Sequence, residues 1–372
     1  PDTPPGPMPI SINPAAMLKP RTPVGPAKSM RHLRVPSRET SAWRDKLSSQ
    51  GWLSAGYGIH NLGEFRGIPL SETAPLFFEG FEIVELEAIT SGPNHWTKRL
   101  DPDLFANYSK FWPMSHDRIG DVIIVKIPKE ISKFSSEIGS AMLEQYSSAR
   151  VVCADNGVKG KFRVRDLETI KSRSDESTLT KVREHGNEFF TDPGLVYYSP
   201  RLATERLETV EVAKRLAKKL GRKISVCDPY AGVGPALIPL AKSSEYVENI
   251  FANDLNPHAA ELLRLNLPNC VIKCSDARKL SEDLGECCDL LLVNLPHETI
   301  DHIPHVIGLL NKGHEVVIRG WAILDSEQVE TAERKIREDL NQSQILSLEL
   351  TPKKSYSSSI SYVSIEAHLI RY

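Results

Sequence analysis

The sequence predicts an α/β protein whose C-terminal half is a mostly parallel sheet with helices on both faces, preceded by small α/β or α+β domains. Three observations carry that prediction. From residue 200 onward, strand-like apolar runs alternate with amphipathic runs of helix length, the order of a parallel sheet with crossover helices. The first of those strands, KISVCDPY, ends in a glycine turn, AGVG at 231–234. The following strands end in short polar residues, Asp254, Asp276 and Asn294, and the carboxyl ends of strands are where open α/β sheets hold ligands.

Taken in order, residues 1–37 read as a Pro-rich arm. Residues 1–30 hold nine prolines, with Lys19, Arg21 and Lys28 against the single acid Asp2, so the segment is extended rather than helical. A disordered tail and an arm laid on a partner or on the next domain both fit it. Residues 38–112 read as a small N-terminal domain, in which GWLSAGYGIHNLGEFRG is Gly-rich and FEIVELEAI alternates as a strand does.

Residues 113–195 read as a middle domain that links or binds RNA. IGDVIIVKI at 119–127 predicts one strand, SKFSSEIGSAMLEQY a helix, and ARVVCAD and GKFRVRDLETI further strands. Its later part carries Lys159, Lys161, Arg163, Arg165, Lys171, Arg173, Lys181 and Arg183, eight bases in 25 residues. A solvated positive face is the plain reading, and a phosphate-rich partner is the other. Residues 196–372 form the parallel-sheet domain. It opens with the helix ERLETVEVAKRLAKKL and closes with SQILSLELT and SYVSIEAHLIRY, two antiparallel strands.

The totals narrow the class without naming it. Formal net charge is -2, with 46 basic and 48 acidic side chains among 372 residues, so any nucleic-acid contact must come from local patches. Six cysteines show no disulfide framework, and a reducing, cytoplasmic setting is expected. No apolar run of about 18 residues appears, so no membrane span is expected. A monomer is expected. His297, His302 and His305 lack a spaced cysteine or third-strand ligand, and no metal site is expected.

The glycine turn is neither GxGxxG nor GK[ST], which argues against a dinucleotide pyrophosphate and against a P-loop. Gly232 and Gly234 would let a ligand approach the backbone closely. Asp254 can accept both hydroxyls of a ribose, and Asp276 an exocyclic amine. A nucleoside with a short zwitterionic tail fits such strand ends, and S-adenosylmethionine has that shape. Each acid alone could also cap a helix. Asn294, with one acceptor and two donors, can grip the edge of a flat heterocycle, which suits methyl transfer to a ring nitrogen or exocyclic amine. No Cys follows Pro296, so carbon methylation of a pyrimidine is not expected.

DPYAGVGP, ANDLNP and VNLP resemble the Trm5-type tRNA (guanine37-N1)-methyltransferase family, and the likeness extends upstream in the family's order. IGDVIIVKIP at 119–128, GKFRVRDLE at 160–168, VREHG at 182–186 and VYYSPRLATER at 196–206 carry it, as does HWTKRLDPDLFANY at 95–108. SPRLATER is the most specific of these motifs. The resemblance implies a class I, Rossmann-like methyltransferase domain that uses S-adenosylmethionine on tRNA. It implies Glu205 as general base on guanine N1, Arg165 at O6 and Asn294 on the base. Removing the N1 proton pushes negative charge toward O6, where a guanidinium stabilises it.

The cofactor set expected on this basis is Asp228, Tyr230, Ala231, Gly232, Gly234, Asp254, Leu255, Asn256, Asp276, Ala277, Asn294, Pro296 and Arg201. The substrate set is Arg163, Arg183, Tyr197, Tyr198, Arg206 and His297, the last of which could instead cap the next helix. The alternatives are aminocarboxypropyl transfer from the same cofactor, methylation of a wyosine-type precursor at the same tRNA position, and a non-catalytic RNA-binding relative.

Overall fold

Contacts divide the chain into two compact units, residues 1–95 and 96–372. The structure, a computed structural model, describes residues 29–355 and 360–372. Residues 1–28 of the expected arm therefore lie outside the described residues. The arm's last part is not an arm. Ser29–Pro36 (β1) is an inner strand of a four-stranded antiparallel sheet. Leu33 and Val35 alternate into the core beneath it, which suits a strand better than a tail. Helix α1 (Thr40–Ser49) comes next, then β2 (His60–Leu62), β3 (Phe65–Pro69) and β4 (Glu82–Glu87). The sheet order is β2-β3-β1-β4. Leu33, Val35, Leu47, Ile68, Leu70 and Phe78 close this small core.

The second unit begins earlier than expected. The sequence reading put a boundary at 112, but Trp96, Leu100 and Trp112 pack against Ile123, Ile131, Ile138 and Met142. Trp96 is fully buried there, so residues 96–112, including α2 (Pro102–Asn107), belong to the second unit. The expected single strand 119–127 is a hairpin instead. β5 (Asp117–Ile119) turns at Gly120 into β6 (Val122–Val125). Gly120 has φ 57, and a Cβ there would stand 2.1 Å from Thr180 Oγ1, so the turn requires glycine. Helix α3 (Ser135–Gln145) crosses over to β7 (Val151–Lys159), which runs parallel to β6, and β8 (Val164–Ser172) completes the order β5-β6-β7-β8. A two-strand hairpin succeeds it, β9 (Thr180–Glu184) and β10 (Asn187–Thr191). Its tip, His185-Gly186, has φ 47 and 79, the hand that matches strand twist.

Helix α4 (Ala203–Leu220) leads into the large sheet. Its elements are β11 (Ile224–Asp228), α5 (Leu237–Ala241), β12 (Val247–Asn253), α6 (Pro257–Asn266), β13 (Val271–Lys273), α7 (Leu280–Leu284) and β14 (Leu290–Val293). After them come α8 (Thr299–Val306), β15 (Glu315–Asp325), α9 (Val329–Asp339), β16 (Ser343–Ser355) and β17 (Ile360–Arg371). The order is β13-β12-β11-β14-β15-β17-β16, with the first five parallel and β17 antiparallel to both its neighbours, β15 and β16. The chain builds outward from β11 to β13, then returns to the other side of β11, so a crevice opens between the ends of β11 and β14.

The expected division at 195/196 does not appear as two cores. Ile119, Val122 and Val151 share one apolar cluster with Val212, Leu216 and Val226. Burying one continuous core fixes the small sheet against the large one within this unit.

Candidate active site

The ends of β11 and β12 are knitted together by the glycine turn. Asp228 is buried, and its Oδ1 accepts the Tyr230 N–H at 3.0 Å. Asp254 receives the Gly232 N–H at 2.8 Å on one oxygen and the Asn256 N–H at 2.8 Å on the other. Burial raises the Asp254 carboxyl above its usual range, against those two amides. Each carboxylate oxygen accepts one amide and retains a second lone pair. Gly232 has φ 58, and a Cβ there would meet only the Tyr197 carbonyl, at 3.8 Å, so its backbone is accessible from above.

Several expected cofactor residues have other tasks. Gly234 serves packing, not ligand approach: a Cβ would stand 2.7 Å from Leu263 Cδ1 and 2.9 Å from Leu267 Cδ1. The Asn256 side chain is buried and committed, capping α6 through the His258 N–H at 3.1 Å and donating to the Leu195 carbonyl at 2.8 Å. Ala231 and Ala277 are buried wall residues, and Leu255 is exposed. Tyr230 Oη bonds His302 Nδ1 at 2.7 Å, so its hydroxyl is tied to α8. Asp276 caps the turn after β13 and pairs with Arg278 at 2.5 Å, which lowers its carboxyl to about 2.

On the other side of the crevice, β15 ties two expected catalytic residues to one edge. Val293 of β14 pairs with Gly320 of β15, so Asn294 follows at the level of Trp321. Thr299 Oγ1 donates to the Trp321 carbonyl at 2.7 Å and receives the Leu295 N–H at 3.3 Å, and the Pro296 carbonyl accepts the Ile323 N–H at 2.9 Å. The NLP loop is thereby fixed to β15. Glu205, in the first turn of α4, is buried, and its Oε2 accepts the Trp321 indole N–H at 3.2 Å. Arg319 Nη2 stands 3.6 Å from the same oxygen and Lys353 Nζ 3.9 Å from Oε1. Arg319 is itself balanced by Glu366 at 2.8 Å and Glu208 at 3.2 Å. His297 is exposed at the loop tip.

Arg165 lies on β8, and its guanidinium is held by Asp117 at 2.7 Å and Asp155 at 3.3 Å. Asp117 uses its other oxygen on Arg201 at 2.9 Å, just before α4. Burial opposes the charge on Asp117, but the two guanidiniums outweigh it and hold the carboxyl below its usual range. Arg201 therefore reaches the middle sheet, not the expected cofactor turn. Arg206 and Tyr198 are also corrected. Both are buried, and both spend their polar ends on Glu184, Arg206 in a short ion pair and Tyr198 Oη at 2.8 Å. They brace the SPRLATER run from inside and offer nothing to a phosphate. Tyr197 is exposed above the glycine turn, and Arg163 and Arg183 are exposed. Arg183 lines a groove of about 700 Å³ with Arg118, Lys181 and His185, floored by Tyr198, Pro200 and Ala203.

The basic stripe is thinner than its sequence. Lys159 pairs with Asp166 and Lys181 with Glu188, and Arg173 donates to the Ala149 and Leu143 carbonyls. Sequence reasoning missed Asp117, Glu184, Arg319, Trp321 and Lys353. One signal was present: an arginine inside the apolar run HEVVIRGWAIL implies buried acidic partners. Nothing local marked Asp117 or Lys353, whose partners lie 48 and 145 residues away.

A family model of the TRM5/TYW2 methyltransferase domain matches residues 180–345, and one of the TYW2 N-terminal domain matches residues 97–171. The tRNA (guanine(37)-N(1))-methyltransferase Trm5b of Pyrococcus abyssi is 32% identical over 297 residues, 78% of this chain and 83% of the relative. Its namesake from Methanocaldococcus jannaschii is 29% identical over 252 residues, 63% of this chain and 69% of the relative. The crystal structure of Trm5b from Pyrococcus abyssi superposes with a TM-score of 0.61 at 28% identity, covering 92% of this chain and 99% of that one. The complex of aTrm5 with tRNALeu gives 0.60 at 25% identity, covering 91% and 99%.

Proposed function

The chain belongs to the TRM5/TYW2 methyltransferase family, and from that membership we propose that it methylates N1 of guanosine 37 in the tRNA anticodon loop with S-adenosylmethionine. The activity is the one carried in the names of its relatives. When bound, the cofactor supplies an electrophilic methyl on a sulfonium. The residues at the β11–β14 crevice suit it: Gly232 leaves its backbone open and Asp254 keeps acceptors for ribose hydroxyls.

In this reading Asn294 orients the guanine edge, Glu205 takes the N1 proton, and Arg165 stabilises the charge that develops on O6. The observation that carries the reading is Glu205, a buried carboxylate hydrogen-bonded to Trp321, the same residue to which Thr299 ties the NLP loop. Arg165, with five N–H donors, keeps three beyond its bonds to Asp117 and Asp155.

One observation favours a second reading. The TYW2 N-terminal match over residues 97–171 accords with aminocarboxypropyl transfer, in which a different carbon–sulfur bond of the same cofactor breaks. Incubating the chain with S-adenosylmethionine and tRNA transcripts carrying G, A or I at position 37, then weighing the nucleosides, separates the readings. The expected product is 1-methylguanosine on the G transcript alone. An aminocarboxypropyl adduct would establish the second reading, and an unmodified G transcript would refute the first.

A further inference from the structure

Cys227 is the last residue of β11 before Asp228, and Cys287 and Cys288 lead into β14. Their three Sγ atoms lie within 4.8 Å of one another. Cys227 and Cys288 are fully buried and Cys287 is half-buried. Among the described residues, this is the one group of three or more His, Cys, Asp or Glu close enough to share an ion. We propose that Cys227, Cys287 and Cys288 form a three-thiolate site for a soft d10 metal ion, zinc or monovalent copper. The proposal is independent of the methyltransfer reading.

The spacing fits chelation better than a disulfide. Sulfurs on one ion at metal–sulfur distances of about 2.3 Å stand roughly 3.8–4.0 Å apart, so no pair here needs to close by more than about 1 Å. A disulfide would draw two sulfurs to about 2.05 Å and leave the third buried alone. Soft thiolates select these ions over magnesium or calcium. The ion's charge would also offset the cost of burying thiolates beside Asp228.

The fourth position decides between the two ions. The Leu309 carbonyl accepts from Cys288 Sγ at 3.3 Å, but it also accepts the Cys287 and Cys288 N–H groups. Copper(I) is content with three sulfurs. Zinc would complete its shell with water from the half-buried Cys287 side.

The full-length, reduced chain is dialysed against zinc, or against copper(I) held by a chromophoric chelator, and metal per chain is measured alongside the melting temperature. The expected result is one ion per chain and a rise of several degrees, both lost in Cys287→Ser and Cys227→Ala and retained in Cys274→Ser. Cys287→Ser changes a half-buried position, so its fold is checked by its unchanged metal-free melting temperature. Zinc uptake identifies the four-coordinate form, and uptake of copper alone the three-coordinate one. A chain that takes up neither ion overturns the proposal. So does uptake that survives both variants or disappears on Cys274→Ser.

Discussion

Glu205 is held by neighbours that tolerate a neutral amide at its position. Glutamine can still accept the Trp321 N–H, and Arg319 keeps Glu208 and Glu366 as partners. Glu205→Gln is therefore expected to fold and to bind tRNA and cofactor as the parent does, while the single-turnover methylation rate falls by about 10²–10⁴. A rate preserved near neutral pH would end the general-base role. Asp228 makes a second prediction at this scale. Burial raises its carboxyl to about 7, against the Tyr230 amide and with the Asp254 charge. The folded chain thus holds a proton that the unfolded chain, with a value of about 3.9, releases. Stability contributed by this group is present below that lower value and is lost as pH rises through the window up to about 7, by at most about 4 kcal/mol. Asp228→Asn removes the proton exchange. Urea unfolding at several pH values across the window is expected to show a shallower decline in the variant, and parallel curves would refute the assignment.

One carboxylate ties three of the elements together. Asp117, at the start of β5, grips Arg165 of β8 with one oxygen and Arg201, before α4, with the other. The guanidinium assigned to O6 and the segment carrying Glu205 are thereby referenced to one another, and a misplacement of about 1 Å can cost about 10²-fold in rate. Asp117→Asn keeps the size and loses the charge. The expected outcome is a single-turnover rate lowered by roughly 10–100-fold with tRNA affinity unchanged, measured at saturating tRNA. An unchanged rate would leave Asp117 a mere surface partner.

This clamp also marks what the sequence could reveal. The alternation of KISVCD and CCDLLLVN with helical runs announced the parallel sheet, because period-2 and period-3.6 patterns are local. The placement of Gly232, Asp254 and Asn294 at the carboxyl ends of the strands followed from the strand pattern alone. Gly234 did not, since its need for a small side chain comes from Leu263 and Leu267 on another helix. Arg206 and Tyr198 were misjudged for the same reason: Glu184, which absorbs both, sits on the β9–β10 hairpin and carries no mark of it in the sequence.

At the scale of the whole molecule, a chain of net charge -2 must bind a polyanion through local charge. No helix among the described residues is long and apolar enough to cross a membrane. The eight bases at 159–183 are unequal. Lys159, Arg165 and Lys181 are neutralised by acids of their own unit, whereas Arg163 and Arg183 stand exposed and Arg183 borders the groove that Pro200 and Ala203 of SPRLATER also line. A base already paired releases few counterions when a phosphate arrives, and a free one releases about one. The logarithm of tRNA affinity against the logarithm of salt concentration should accordingly be linear, and its slope should shrink by about one on Arg163→Ala and again on Arg183→Ala. Lys159→Ala should leave the slope nearly as it was, because Asp166 is released in the same step and repels the phosphate that Lys159 would have met. Equal losses from all three replacements would mean that RNA binding breaks the internal pairs, and that the stripe acts as one continuous surface once the substrate is seated.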